Sequence, residues 1–132
     1  MALKRVVLML GHGNTTFGSE LEGIGKSLFR FKWGGVFSAD TLPNTLDPKK
    51  YYIANVDNAD QEGSHWVAIH DGYIYDSFGR SAKEMNPNFT RHCLKRTDDD
   101  QEQSYNQTNC GQRSLAFLIV CKSHGIKIAK NI

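Results

Sequence analysis

The sequence predicts an α+β domain in which a small β-sheet packs on one buried helix. Three observations lead there. β-Prone runs separated by turn signals cluster within residues 51–76. A segment that is apolar on nearly every side, residues 110–122, follows later in the chain. Strands grouped apart from helices, rather than alternating with them, belong to the α+β class. At 132 residues and 14.9 kDa the chain is the size of one domain, residues 1–132, with room for one main core.

The elements follow in order. Leu3, Val6, Val7 and Leu10 fall at i, i+3, i+4 and i+7, the spacing of one helix face, and Gly11 to Gly13 would end that helix. Residues 14–38 are punctuated by glycine and carry Phe17, Phe29, Phe31, Trp33 and Phe37; irregular structure with short elements is expected. Pro43 and Pro48 bracket a loop. Residues 51–56, 65–69 and 73–76 read as strands, with Asp71-Gly72 a two-residue hairpin turn, so 51–76 is expected to be a three-stranded antiparallel meander. Residues 80–92 can be helical until Asn86-Pro87 breaks them, and 93–96 can be a short edge strand. A polar loop spans 97–109. The helix over 110–122 has Asn109 as N-cap and Gly125 as its stop.

Composition excludes several classes. Hydrophobic residues at 39% and charged residues at 23% suit a packed domain and not a disordered or collagen-like chain. No apolar run approaches the roughly 18–20 residues that span a bilayer, so no membrane association is expected. Lys4 and Arg5 precede only Val6 to Leu10 before Gly11, shorter than the apolar stretch of a secretory leader, so export is not expected. Three cysteines, Cys93, Cys110 and Cys121, are an odd and sparse set that suits free thiols in a reducing compartment. Net charge is only +2, but residues 51–103 hold five Lys/Arg against ten Asp/Glu, while residues 104–132 hold four Lys/Arg and no acid. Residues 1–50 hold seven Lys/Arg and four Asp/Glu, so the two basic ends could line one surface against a polyanion, but without a dense basic cluster ordinary solvated charge is the preferred reading.

Cys110 opens the most buried helix, directly before Gly111. A helix N-terminus offers free N–H groups and a partial positive charge, both of which favour the thiolate. Gly111 leaves the sulfur open to an approaching peptide backbone. Cys121, inside the same helix, reads as a small hydrophobe. A cysteine nucleophile needs a base, and the base an orienting group. Counting back from the turn at 71–72 places His65 and Asp76 at the same open end of adjacent strands, where imidazole and carboxylate can meet. His12, His70, His92 and His124 have no such partner in the pattern and read as surface or satisfied core residues. An oxyanion needs donors. The Cys110 N–H is one; Gln103, Asn106, Gln107 and Asn109 all qualify by chemistry as another, and spacing does not choose. This chemistry calls for no metal and no cofactor.

Taken together, Gly63-Ser64-His65-Trp66-Val67-Ala68-Ile69, then Tyr75-Asp76-Ser77-Phe78-Gly79, then Gln103, then Asn109-Cys110-Gly111-Gln112-Arg113-Ser114-Leu115 resemble the adenovirus-type cysteine endopeptidases (adenain). These belong to the clan of the SUMO-specific proteases. Leu3 to Gly13 and Arg30 to Phe37 extend the likeness more weakly over most of the chain. The stretch Gly18 to Lys26 has no clear counterpart, the acid is Asp where adenain usually has Glu, and adenain's further helical part beyond the nucleophile helix has no match here. The resemblance thus implies a pared-down, circularly permuted papain-like fold.

The resemblance implies a catalytic set of His65, Asp76 and Cys110, with Gln103, at the family's seven-residue spacing before the cysteine, in the oxyanion hole. It places Gly63, Ser64, Trp66 and Gly111 beside the substrate, Trp66 as a shield or as a core aromatic. It implies a thiol endopeptidase that matures viral capsid or core precursor proteins at Gly-containing sites, in the host nucleus or cytoplasm and in the virion. An activating viral peptide, disulfide-linked near Cys93, and DNA would be its further partners, though Cys93 also reads as a plain free thiol. Three other readings use the same residues: a SUMO- or ubiquitin-like deconjugating protease, an acyltransferase with the same triad, and a binding module that keeps the fold alone. The intact His, Asp, Gln and Cys argue against the last.

Overall fold

A computed structural model describes residues 18–61, 65–97 and 110–130. The expected first helix at 2–10, most of the polar loop at 97–109, and the Asn109 cap lie outside these residues. Helix α1 (Gly18–Phe29) leads through a 3-10 turn (Arg30–Lys32) into strand β1 (Trp33–Phe37). Strands β2 (Tyr51–Asn55), β3 (Trp66–His70) and β4 (Tyr73–Tyr75) follow. Two one-turn helices, α2 (Ala82–Met85) and α3 (Pro87–Thr90), precede strand β5 (Lys95–Arg96). Helix α4 (Cys110–His124) and the short α5 (Ile126–Ala129) close the described chain.

The architecture is mixed α+β. The five strands form one sheet in the order β1-β2-β3-β4-β5. The meander is as expected: β2 and β3 pair antiparallel, as do β3 and β4, around the Asp71-Gly72 turn. Both turn residues have positive φ, 51° and 79°, the backbone that a two-residue hairpin needs. β1 joins β2 in parallel and β5 joins β4 in parallel, so the sheet is mixed.

Alternation along the strands splits the core into two layers. Tyr51, Ile53, Ala68 and Tyr75 face Leu115, Ala116, Phe117, Leu118, Val120 and Cys121 of α4, with Leu21 and Phe29 of α1. Tyr52, Ala54, Val67, Ile69 and Ile74 face Ala82, Phe89, Ala39 and Leu42 on the other side. Because both faces of the sheet are covered, every residue of β2 is buried, and the period-2 alternation in polarity is lost there. α4 is likewise buried on most sides, which is why its sequence is apolar almost all round.

One expectation is corrected. Residues 14–38 are not mainly irregular: α1 is twelve residues long. Leu21, Ile24, Gly25, Leu28 and Phe29 are buried or packed on the core at i, i+3, i+4, i+7 and i+8, so the helical period is present beneath the glycines. Gly25 is small for a reason: a Cβ there would run into the Trp33 indole. The helical stretch breaks at Asn86-Pro87 as expected, and a second one-turn helix then starts at Pro87. Ser81 and Glu84 form a capping box on α2; Asn86, extended, then caps α3 by accepting the Asn88 N–H at 2.9 Å, with Pro87 at the first helical position. The helix stop at Gly125 is as expected (φ 84°), and α5 follows it directly.

Candidate active site

Strand β3 delivers His65. Its carbonyl accepts the Val56 N–H at 2.9 Å, which extends the β2–β3 pairing past the end of the strand. Its imidazole turns inward. Asp76 is the residue after β4, and Ala68 lies opposite Tyr75 in the ladder, so both side chains leave the sheet at one end. His65 Nε2 and Asp76 Oδ1 are 2.5 Å apart, with both side chains almost fully buried. Phe78 stacks on the imidazole, ring centroids 4.3 Å apart and planes within 14° of parallel.

Asp76 accepts more than the histidine. The Phe78 N–H donates to Oδ1 at 3.2 Å. The Arg80 backbone N–H and Nε–H both donate to Oδ2, at 3.0 and 2.8 Å. Gly79 makes this return possible: its φ of 75° is left-handed backbone, which folds the chain so that residue 80 comes back over residue 76.

Cys110 is the first residue of α4 and is buried. Its Sγ accepts the Trp66 backbone N–H at 3.4 Å. One turn along the helix, Ser114 Oγ donates to the Trp66 carbonyl at 3.1 Å. Both polar groups of one β3 residue are therefore fastened to α4, and the residue before it is His65. His65 and Cys110 are close enough that each stabilises the charged form of the other. Since Nε2 faces Asp76, Nδ1 is the ring nitrogen left for the sulfur.

The electrostatics move each of the three groups toward its charged form. Burial works against ionisation of all three groups. For His65 the hydrogen bonds to Asp76 and Cys110 outweigh burial and raise the pKa above 6.5. For Cys110 burial is outweighed by the hydrogen bond to His65 and the Trp66 and Gly111 N–H groups, so its thiol lies below 9.0. For Asp76 burial is outweighed by His65 and Arg80, which bring its pKa down from 3.8 to about 2. A raised imidazole beside a lowered thiol favours imidazolium and thiolate.

The structure thus brings together His65, Asp76, Cys110 and, within the same helix turn, Gly111, which is buried. Trp66 supplies its backbone to the site, while its half-buried indole packs on the core and lies 3.3 Å from where a Cβ on Gly18 would be. Gly63, Ser64 and Gln103 lie outside the described residues. Cys93 is exposed in the turn after α3, and Cys121 is buried in α4; both are free thiols. His70 is occupied elsewhere, stacked on Tyr51 with Nδ1 2.8 Å from the Lys50 carbonyl. Among the described residues no group of three or more His, Cys, Asp or Glu could hold a metal, and no helix is long and apolar enough to cross a membrane.

Arg80 and Ser114 were not legible as site residues. The available signal for Arg80 was a cation four residues after the acid and directly after a glycine; for Ser114 it was a hydroxyl one helical turn after the cysteine. In comparisons with known proteins, no family model and no curated protein matches this chain.

Proposed function

We propose that this chain is a cysteine endopeptidase of the adenain type. The observation that carries the reading is the buried His65–Asp76 pair beside Cys110, whose sulfur is held at the start of a buried helix by the N–H of Trp66, the residue next to His65. The sequence order His, Asp, Gln, Cys and a mixed sheet laid against the cysteine helix are compatible with that family. Cys110 thiolate attacks the scissile carbonyl carbon, and the S–C bond forms as the carbonyl electrons move onto oxygen. The Cys110 N–H and Gln103 receive that oxyanion. The His65 imidazolium gives its proton to the leaving amine as the C–N bond breaks. Water, deprotonated by His65, then attacks the thioester and expels the sulfur. Asp76 holds the ring and stabilises its cationic form.

By the family resemblance, substrates are viral precursor proteins cut beside glycine. The test is cleavage profiling on a peptide library alongside a fusion ending in Gly-Gly of a ubiquitin-like protein, with Cys110→Ala as control. Library cleavage at Gly-containing sites that vanishes in the control supports the endopeptidase reading. Cleavage of the fusion alone would make the chain a deconjugating protease. Cleavage of neither, with Cys110 no more reactive than Cys93, would overturn the reading.

A further inference from the structure

The imidazole of His65 is touched on two sides: at its edge by the Asp76 carboxylate and on its face by the Phe78 ring. Arg80 engages both of these groups. Its Nε and backbone N–H occupy Asp76 Oδ2, which leaves Oδ1 to His65 and the Phe78 N–H. Its guanidinium carbon lies 5.0 Å from the Phe78 centroid, on a ring that is itself stacked on the imidazole. The Phe78 ring thus contacts both the guanidinium and the imidazole, and the Asp76 carboxylate bridges the same two groups.

We propose that Arg80 is a positioning residue that locks the His65 ring in two directions, in its plane through Asp76 and across its face through Phe78. A carboxylate held only by His65 and backbone can rotate about its last bond and swing the hydrogen-bond direction with it. The Arg80 Nε–H adds a charged donor on Oδ2 to the backbone N–H groups of Phe78 and Arg80, and so restricts that rotation further. A phenyl ring free to move away leaves the imidazole face open to water; a cation over that ring helps to hold it. The planar fork of arginine does both, whereas lysine supplies charge without the fork. The contacts of Arg80 at the site are Asp76 and Phe78, so its effect reaches Cys110 through the ring.

The inference rests on the proposed role of Cys110, and its test needs no substrate. The rate of Cys110 alkylation by iodoacetamide is measured against pH in the wild type, Arg80→Gln and Arg80→Lys, with a melting curve for each. In the wild type, Cys110 outpaces Cys93 at pH 6; if it does not, the proposed function fails and not merely this inference. With that satisfied, Arg80→Gln moves the acid limb of the Cys110 profile upward by about one pH unit and lowers the rate at pH 6 about tenfold. Arg80→Lys falls between the two. A glutamine profile that overlays the wild type overturns the inference. So does a shift to lower pH, which would mean that Arg80 only damps the charge of Asp76. Should the glutamine variant not fold, the lysine variant decides: a wild-type profile there means charge alone suffices and the fork positions nothing.

Discussion

Cys110 and Cys121 lie on one helix, both buried, and their thiols are displaced in opposite directions. Burial, with the Asp71 carboxylate adding to it, pushes Cys121 up to about 12. Cys110 pays the same desolvation and is still lowered, because His65, the Trp66 N–H and the helix start stabilise its charged form. The difference comes chiefly from the imidazole that Cys110 has beside it and Cys121 lacks, with the free N–H groups of the first helical turn adding to it.

An electrophilic peptide or iodoacetamide at pH 7 should therefore label Cys110 at least about tenfold faster than Cys121. Peptide mapping by mass spectrometry of partly labelled protein measures it. Equal labelling of Cys93, Cys110 and Cys121 would remove Cys110 as the nucleophile.

Replacing Asp76 by Asn keeps the shape of the side chain but presents an amide where the imidazole N–H must donate. kcat should drop by about 10²–10⁴ with a smaller change in KM. Steady-state kinetics on the best substrate of the library is the measurement, and a loss below threefold would show that the imidazole orients itself without the acid.

Acid stability should carry the same residue's signature. The Asp76 carboxyl is near 2 in the folded state against 3.8 for the free group, so its contribution is fully present above the free value. It is lost as pH falls through 3.8 towards 2, a loss of about 2 kcal/mol. Chemical denaturation from pH 6 to pH 2 should show this fall in the wild type and a shallower one in Asp76→Asn. Parallel curves would mean that the carboxylate is not held in the folded protein.

Two glycines of α1 should respond to alanine with opposite signs. Nothing lies within 4 Å of a Cβ on Gly23, so Gly23→Ala should stabilise by about 0.5–1 kcal/mol through helix propensity. At Gly25 the added methyl meets the Trp33 indole, which is stacked on Phe29 and donates Nε1–H to Glu22 at 2.8 Å, so it cannot move aside cheaply. Gly25→Ala should destabilise by about 1–3 kcal/mol. Denaturant midpoints of the two variants check both signs.

Gln103→Ala should lower kcat by about 10²–10³ with little change in KM if its amide meets the oxyanion. A wild-type rate in that variant would direct attention to Asn106 or Gln107.

Several parts of the molecule could be read from the chain alone because their causes are local. The Asp71-Gly72 turn sets the register of β3 on β4 by its own backbone preferences, and that register carries His65 and Asp76 to one end of the sheet. The all-round apolarity of 110–122 announced a buried helix, and Gly125 its end. α1 was hidden because its glycines, read as local punctuation, are explained by a distant ring: the space at Gly25 exists for Trp33. Arg80 was hidden for a similar reason. Its partners are a carboxylate and a phenyl ring arranged by a left-handed glycine, and no helical or strand period marks that geometry.

By itself, then, the sequence determined the strands of the meander, the helix that bears Cys110, and the end of the sheet where His65 and Asp76 would meet. Turn chemistry and hydrophobic period act between near neighbours and can be read without the fold. Only the tertiary structure decided that Trp66, 44 residues from Cys110, would hold the sulfur by its backbone, and that Arg80 would take half of the Asp76 carboxylate. Contacts between chain-distant groups depend on how the sheet and helix settle against each other, and packing of both layers, not local preference, sets that.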